Sequence, residues 1–464
     1  MTLPIDPESI TTLSDARNAI EKLLQAYTSL QHENELLKEE IAHLKGQPRK
    51  PQFNSDTQKS FGVSKLLKVG TKWHKGSKKG MLPIDVHQNL PEEVICSCGS
   101  SNFKSLRTHT KIIQGMLMQR NNVSYHGRDK QCLNCGKIFK SQIPGEIKGI
   151  SFDPTLKSLI SYLKYACRMT HPLLFRMLSG FGIQISGGEI SEILLNNGHQ
   201  LKPAYQELKS KGFSKSQYLS SDSTGSKRKD KETGKIQNQY IQVVSNKLLS
   251  VFAITRHYNI KSLSNLLTKR GRDKPFVSDD GSPNGDGLRC SCKQLCWVHE
   301  IRHYQKLFPF FNPHQKLQEQ ILSQWSSFYH LAKSYGRDPT QQIRQEKIRQ
   351  EIEVSFDTIT SQTTGYDDLD KQLKLTRRKR VRLLTFLDFP FLPIHNNQCE
   401  IDLREFVIQR KISGETKSVA GDRSLERHLS IIQTCQKQGL DIFQTLHGLL
   451  TGQLQPQILT ANIS

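Results

Sequence analysis

Between residues 216 and 281 the chain alternates in a pattern that few architectures accommodate. The segment Ser216-Gln-Tyr-Leu-Ser-Ser-Asp222 is apolar and runs into an acid. Tyr240-Ile-Gln-Val-Val and Leu248-Leu-Ser-Val-Phe-Ala-Ile254, joined at Ser245-Asn246-Lys247, read as a hairpin. Residues 258–270 have a helical pattern, and Pro275-Phe-Val-Ser-Asp279-Asp280 is a second short apolar run ending in acid. The order strand–acid, hairpin, helix, strand–acid implies one sheet with carboxylates at its strand ends, where they can share divalent cations. Asp280 competes with Asp279 for the second position.

The stretch from Pro393 to Gly414 supplies a third acid. Glu400 opens a helical pattern, with Arg404, Arg410 and Lys411 behind it and Ile401, Phe406, Val407 and Ile408 as apolar anchors. Spacing alone has a plainer reading, in which Asn397 is an N-cap and Glu400 closes a capping box. Two strand-end acids upstream shift the balance. Three carboxylates drawn from distant segments suit two-metal phosphoryl transfer, and magnesium takes carboxylate oxygens.

Charge points the same way. The 464 residues carry 66 Lys+Arg against 43 Asp+Glu, a net +23, which favours a polyanionic partner and above all nucleic acid. No apolar run reaches the ~18 residues of a spanning helix, so no membrane partner is expected. The first residues, MTLPIDPESITTLSDA, lack a secretory pattern. Ten Cys in such a chain suggest metal sites and buried thiols rather than a disulfide framework.

At ~150 residues per domain the chain is long enough for about three, and the patterns subdivide it further. Residues 1–46 hold a heptad, with Ile20, Tyr27, Asn34 and Ile41 at one seam position and Leu23, Leu30, Leu37 and Leu44 at the other. Leu at every second seam position and one Asn in the other set favour a parallel, leucine-zipper-like coiled coil joining two copies. Residues 47–90 are a basic linker; from Lys45 to Lys79 there are ten Lys/Arg and one acid, Asp56. Residues 91–145 carry two knuckles, Cys96-Ser-Cys98-Gly99 and Cys132-Leu-Asn-Cys135-Gly136, a ligand set that predicts a zinc ribbon with a closed, structural ion. Residues 146–214 read as helices, and HPLLFRMLSGFGIQISGGEISEILLNNG has the shape of a helix-turn-helix or of a plain helical hairpin. Residues 215–300 hold the first half of the sheet domain. Residues 301–392 form a charged helical insertion with the basic block Arg377-Arg-Lys-Arg-Val-Arg382, and residues 393–464 hold the second half and a helix closed by Gly439.

These residues carry a resemblance to transposases of the insertion-sequence-66 family. Asp222-Ser-Thr-Gly225 resembles the family's Asp-Glu-Thr-Gly, and Val277-Ser-Asp279 its second acid. Gln294-Leu-Cys-Trp-Val-His299-Glu-Ile-Arg302 is close to Gln-Leu-Cys-Trp-Ala-His-x-x-Arg, and Asn396-Asn397-Gln-Cys-Glu400 with Arg404 resembles Asn-Asn-x-x-Glu-x-x-x-Arg. The chain departs from the family at Ser223, at His395, in the turn after Asp280 and in its shortened first knuckle.

The resemblance implies a multidomain α+β chain with a ribonuclease-H-like α/β catalytic domain and a DDE triad of Asp222, Asp279 and Glu400. It implies two magnesium or manganese ions on that triad and structural zinc on Cys96, Cys98, Cys132 and Cys135. The implied activity is phosphodiester cleavage at element ends, followed by attack of the freed 3′-hydroxyl on target DNA. His299, Arg302, Arg404, Arg410 and Lys411 are then phosphate or DNA contacts. The implied partners are terminal inverted repeats, target DNA, a second copy through the coil and element-encoded accessory proteins, in a bacterial, cytoplasmic, nucleoid-associated setting. Two other outcomes are a decayed copy that only binds DNA and a metal-dependent nuclease without strand transfer.

Overall fold

The chain divides into two units, residues 1–78 and 79–464. The structure, a computed structural model, describes residues 119–141 and 151–463 apart from 230–233, 282–286, 310 and 336–341, together with 97–102 and positions 20, 84, 86 and 95. The heptad beyond Ile20, the basic linker and Cys96 lie outside the described residues. What is described is mixed α+β.

A small hairpin comes first, β1 (Lys130–Gln131) paired antiparallel with β2 (Ile138–Phe139). The Cys132–Gly136 turn joins them. Gly136 donates to the Cys132 carbonyl at 2.8 Å and adopts φ +71°, a left-handed turn that suits glycine. Helices α1 (Pro154–Ser161), α2 (His171–Gly180) and α3 (Gly187–Gln200) follow. Their shared core is Ile160, Leu174, Leu178, Ile185, Ile190, Ile193 and Leu194. Ser186 and Glu189 form a reciprocal capping box that starts α3, while the far end of α3 is pressed into the body of the domain: a Cβ on Gly198 would lie 2.7 Å from the Ser424 backbone. The short helix α4 (Lys202–Glu207) leads to the sheet.

The sheet has five strands: β3 (Leu219–Lys229), β4 (Ile236–Ser245), β5 (Ser250–Thr255), β6 (Phe276–Ser278) and β7 (Lys293–Leu295), with α5 (Ile260–Arg272) between β5 and β6. Their order is β5-β4-β3-β6-β7; the first three are antiparallel, and β3, β6 and β7 are mutually parallel. The hairpin expected from sequence is β4–β5. β3, however, continues seven residues past Asp222. Its pairing with β6 covers only Leu219 and Ser220, and beyond that point β4 alone supports it. Asp222 therefore lies within a long strand, just past the end of β6, rather than at a strand terminus.

Helices α6 (Trp297–Gln305), α7 (Asn312–Ser334), α8 (Gln342–Thr360) and α9 (Asp367–Arg378) make up the insertion. It has an aromatic core in which Trp297 lies 5.3 Å from Trp325 and 4.4 Å from Phe328. The chain returns through α10 (Asn397–Ser413), α11 (Val419–Gln438) and α12 (Ile442–Thr451). α10 and α11 cover one sheet face, with Leu403, Phe406, Leu425 and Leu429 against Ile241, Val243, Phe252 and Ile254. α11 also closes the β5 edge. Phe252 N–H donates to Ser430 Oγ at 2.9 Å, Ser250 N–H to Thr434 Oγ1 at 3.2 Å, and Ile254 N–H to the Glu426 carboxylate. Side chains one turn apart thus take the place of a missing neighbour strand, leaving no row of open amides for another chain to pair with.

Candidate active site

The parallel strands and the two ends of the insertion meet at one place. Cys296 N–H donates to the Ser278 carbonyl at 2.8 Å, which ties the end of β6 to the start of α6. Trp297 N–H donates to the Ile394 carbonyl at 2.9 Å, so the chain leaving the insertion lies against the chain entering it. Asn396 N–H reaches Cys296 Sγ at 3.4 Å, and its side-chain amide reaches the Ser221 carbonyl at 3.5 Å. Each of these links stands next to an acid: Ser278 before Asp279, Ser221 before Asp222, Asn396 one helical turn before Glu400. Segments distant in sequence are joined by these bonds, and the Asp279 and Glu400 carboxylates come within electrostatic reach of Asp222.

The electrostatics report that proximity. Burial, then the charges of Asp279 and Glu400, push the Asp222 carboxyl up to about 7, against the Ser223 N–H (2.8 Å) and Arg302, which act the other way. Arg302 Nη1 lies 3.3 Å from Glu400 Oε1 and 3.4 Å from His299 Nε2, and His299 Nε2 is 3.6 Å from the same carboxylate oxygen. The buried His299 Nδ1 and Asn396 Oδ1 have no hydrogen-bond partner. Tyr258 borders the site from the β5–α5 loop; burial, with help from Asp279 and Asp222, raises its phenol above the usual range.

The plainer reading of Glu400 as a capping residue is not what the structure displays. The N-cap is Asn396, its side chain makes no cap bond, and the Glu400 carboxylate turns instead to Arg302 and His299. Asp280 points elsewhere. Lys379 Nζ lies 2.6 Å from Asp280 and 2.9 Å from Glu300, and His303 stands 3.5 Å from Asp280. These neighbours hold the Asp280 carboxyl well below the usual range.

Among the described residues, Asp280, Glu300 and His303 are the one set of three potential ligands lying within 4.8 Å of one another. The Lys379 ammonium already supplies the cation there. Asp222, Asp279 and Glu400 do not form such a close set.

Arg404, Arg410 and Lys411 lie further along α10 from Glu400. Arg410 donates to the Gly225 carbonyl at 2.6 Å and lies 6.0 Å from the Phe406 ring centroid, fastening the far half of α10 to β3. Arg404 and Lys411 are exposed along the same helix. Gln294 and Trp297 act as a staple: the Gln294 amide and the indole both donate to the Leu383 carbonyl, at 3.0 and 2.9 Å, and Gln294 Oε1 accepts from Phe386 N–H. Burial raises the thiols of Cys290, Cys292 and Cys296. At the small hairpin, backbone N–H groups of Cys135 and Asn134 lower the Cys132 thiol. Cys98 and Cys135 are exposed.

Comparison with known families matches residues 149–424 to the one described as "Transposase IS66 family". The chain belongs to the IS66 transposase family. The matched region begins just before α1 and ends within α11, so it contains all three acids and the whole insertion. The chain is also 36% identical over 174 residues to the uncharacterized protein y4jO of Sinorhizobium fredii (strain NBRC 101917 / NGR234), covering 38% of this chain and 51% of that protein. It spans about half the length of that curated relative. In this IS66-family chain the family-like run Gln294–Arg302 divides its labour. Gln294, Cys296 and Trp297 fix the backbone crossing, and His299 and Arg302 face the third acid.

Proposed function

We propose that this chain is a DNA transposase that cleaves phosphodiesters at insertion-sequence ends and joins them to target DNA, with Asp222, Asp279 and Glu400 as its metal-holding acids. The observation that carries this is the convergence of the three carboxylates through the Ser278–Cys296–Asn396–Ser221 links. The sheet order, three antiparallel strands followed by two parallel ones, with acids on the central strand and its parallel neighbour, supports a ribonuclease-H-like domain.

The donor set fits magnesium or manganese, since it offers carboxylate oxygens and a half-buried Asp222 whose charge is costly without a cation. Two such ions, when bound, polarise the phosphate and assist both the attacking and the leaving oxygen. The protein's own contribution is placement. Asp222 and Asp279 hold one side of the site, Glu400 the other, and Arg302 neutralises charge beside Glu400 and can reorient to a non-bridging phosphate oxygen. His299, seated between them, orients Arg302.

The net charge of +23 suits DNA on the outer surface. The Cys132–Cys135 knuckle is the described half of the proposed zinc ribbon, and the heptad is the proposed means of pairing two copies on two ends. Among the described residues no helix is long and apolar enough to cross a membrane. A strand-transfer assay with wild type and Asp222→Ala tests the reading. Joined products lost on substitution support a transposase, cleavage without joining supports a nuclease, and binding alone identifies a decayed copy.

A further inference from the structure

Tyr258 belongs to no motif in the sequence, yet the fold brings it to the acids. Its ring stacks on Tyr240 of β4, with centroids 5.4 Å apart and planes 25° from parallel. Its hydroxyl stands beside Ser223 and in the field of both Asp279 and Asp222. A Cβ built on Gly281 would lie 3.1 Å from the Tyr258 oxygen and 3.2 and 3.3 Å from the two carboxylate oxygens of Asp279. Phenol and carboxylate therefore converge on Gly281, which has no side chain. At the opposite flank Arg302 and His299 stand against Glu400. The acids thus have a cationic donor at one end and a neutral donor at the other.

Several tyrosine hydroxyls of this protein are bonded to protein carbonyls or hydroxyls away from the acids. Tyr205 donates to the Phe252 carbonyl at 2.8 Å and Tyr335 to the Leu387 carbonyl at 2.9 Å. Tyr258 instead has the Asp222 and Asp279 carboxyls among its polar neighbours. The phenol has one proton to donate, and a phosphate oxygen that reaches the Asp279 side can accept it. Ser223 is fixed by its N–H bond to Asp222 at 2.8 Å. A ring held by stacking gives a donor whose position is set before any ligand arrives.

We propose that Tyr258 is a catalytic residue of this centre, donating its hydroxyl proton in a hydrogen bond to a non-bridging oxygen of the scissile phosphate on the Asp279 side. This rests on the assignment of Asp222, Asp279 and Glu400 made above. The test compares wild type, Tyr258→Phe, Ser223→Ala and Asp222→Ala on a duplex ending in the terminal repeat that brackets the coding sequence. Tyr258→Phe keeps the stacked ring and removes only the oxygen.

With magnesium and saturating DNA, the single-turnover joining rate of Tyr258→Phe is expected to fall roughly 10- to 100-fold, with unchanged thermal melting. A second readout needs no turnover. With calcium in place of magnesium, the ratio of affinities for the natural duplex and for one with a neutral methylphosphonate at the scissile position is measured. That ratio is expected to fall several-fold in Tyr258→Phe. Should Tyr258→Phe fail to fold, Ser223→Ala carries the same test, with a smaller loss expected in both readouts. An unchanged ratio overturns the phosphate contact even if the rate falls. Wild-type joining that is lost in Asp222→Ala but kept in Tyr258→Phe overturns the Tyr258 proposal alone. A folded wild type that neither cuts nor joins overturns the transposase reading and this proposal with it.

Discussion

Replacing Asp222 by Asn keeps the side chain's shape and removes its charge, and the consequence for stability can be worked out. Burial and the neighbouring acids move this carboxyl from 3.8 to about 7. At about 1.4 kcal/mol per pKa unit the ionised form costs the metal-free fold roughly 4 kcal/mol, reduced to about 2–3 kcal/mol by the water that reaches the site. Because the folded-state value is raised, the folded protein holds the proton more tightly than the unfolded chain. The associated stability is fully present below pH 4, is lost as pH rises towards 7, and stays lost above it. Asn has no such dependence. Urea unfolding in EDTA should therefore give nearly equal stabilities for wild type and Asp222→Asn at pH 4, with the variant about 2–3 kcal/mol more stable at pH 8. Magnesium should narrow the gap at pH 8 by stabilising wild type alone. A difference that does not change with pH, or a variant less stable at pH 8, would refute the electrostatic reasoning.

Lys379→Met should destabilise the protein by about 3 kcal/mol in urea unfolding, because Glu300, only 3% exposed, loses its ion-pair partner. Gly198→Ala places a Cβ 2.5–2.7 Å from three Ser424 atoms and should cost roughly 2 kcal/mol by prying α3 from α11, read by thermal melting. Cys132→Ser should abolish the zinc content of purified protein, measured by elemental analysis, while leaving the melting of the sheet domain unchanged; retained zinc would remove the knuckle from the ligand set.

The sheet was legible because its signals are local. The β4–β5 hairpin and the short β6 run show as apolar segments, and Gly439 closes α11 with φ +68° where the sequence places a stop. Asp222 and Asp279 stood out because each ends a short apolar run, and Glu400 because it opens a helical pattern with Arg404 and Arg410 behind it. What the sequence hid was long-range. Glu426, Ser430 and Thr434 look like a solvent-facing stripe, yet they are buried and bonded to the β5 edge, since a helix can satisfy strand amides that no strand reaches. Lys379 and Arg380 read as part of a free basic block. Their partners Asp280, Glu300 and Asp357 lie in other elements, so these two residues are paired within the protein, while Arg377 and Arg378 are exposed. Arg410 was grouped with Glu400 by proximity in sequence, but ten residues of helix carry it to Gly225. Tyr258 gave no signal because its meaning depends on Ser223 and Gly281, which only the fold brings beside it.

The central claim is that Asp222, Asp279 and Glu400, and not the neighbouring Asp280 cluster, hold the catalytic cations. Electron paramagnetic resonance titration with manganese tests it directly. Wild type should take up ions that are lost in Asp222→Ala, Asp279→Ala and Glu400→Ala and kept in Asp280→Ala. Ions lost with Asp280→Ala but kept with Asp279→Ala would move the site to Asp280, Glu300 and His303 and contradict the assignment.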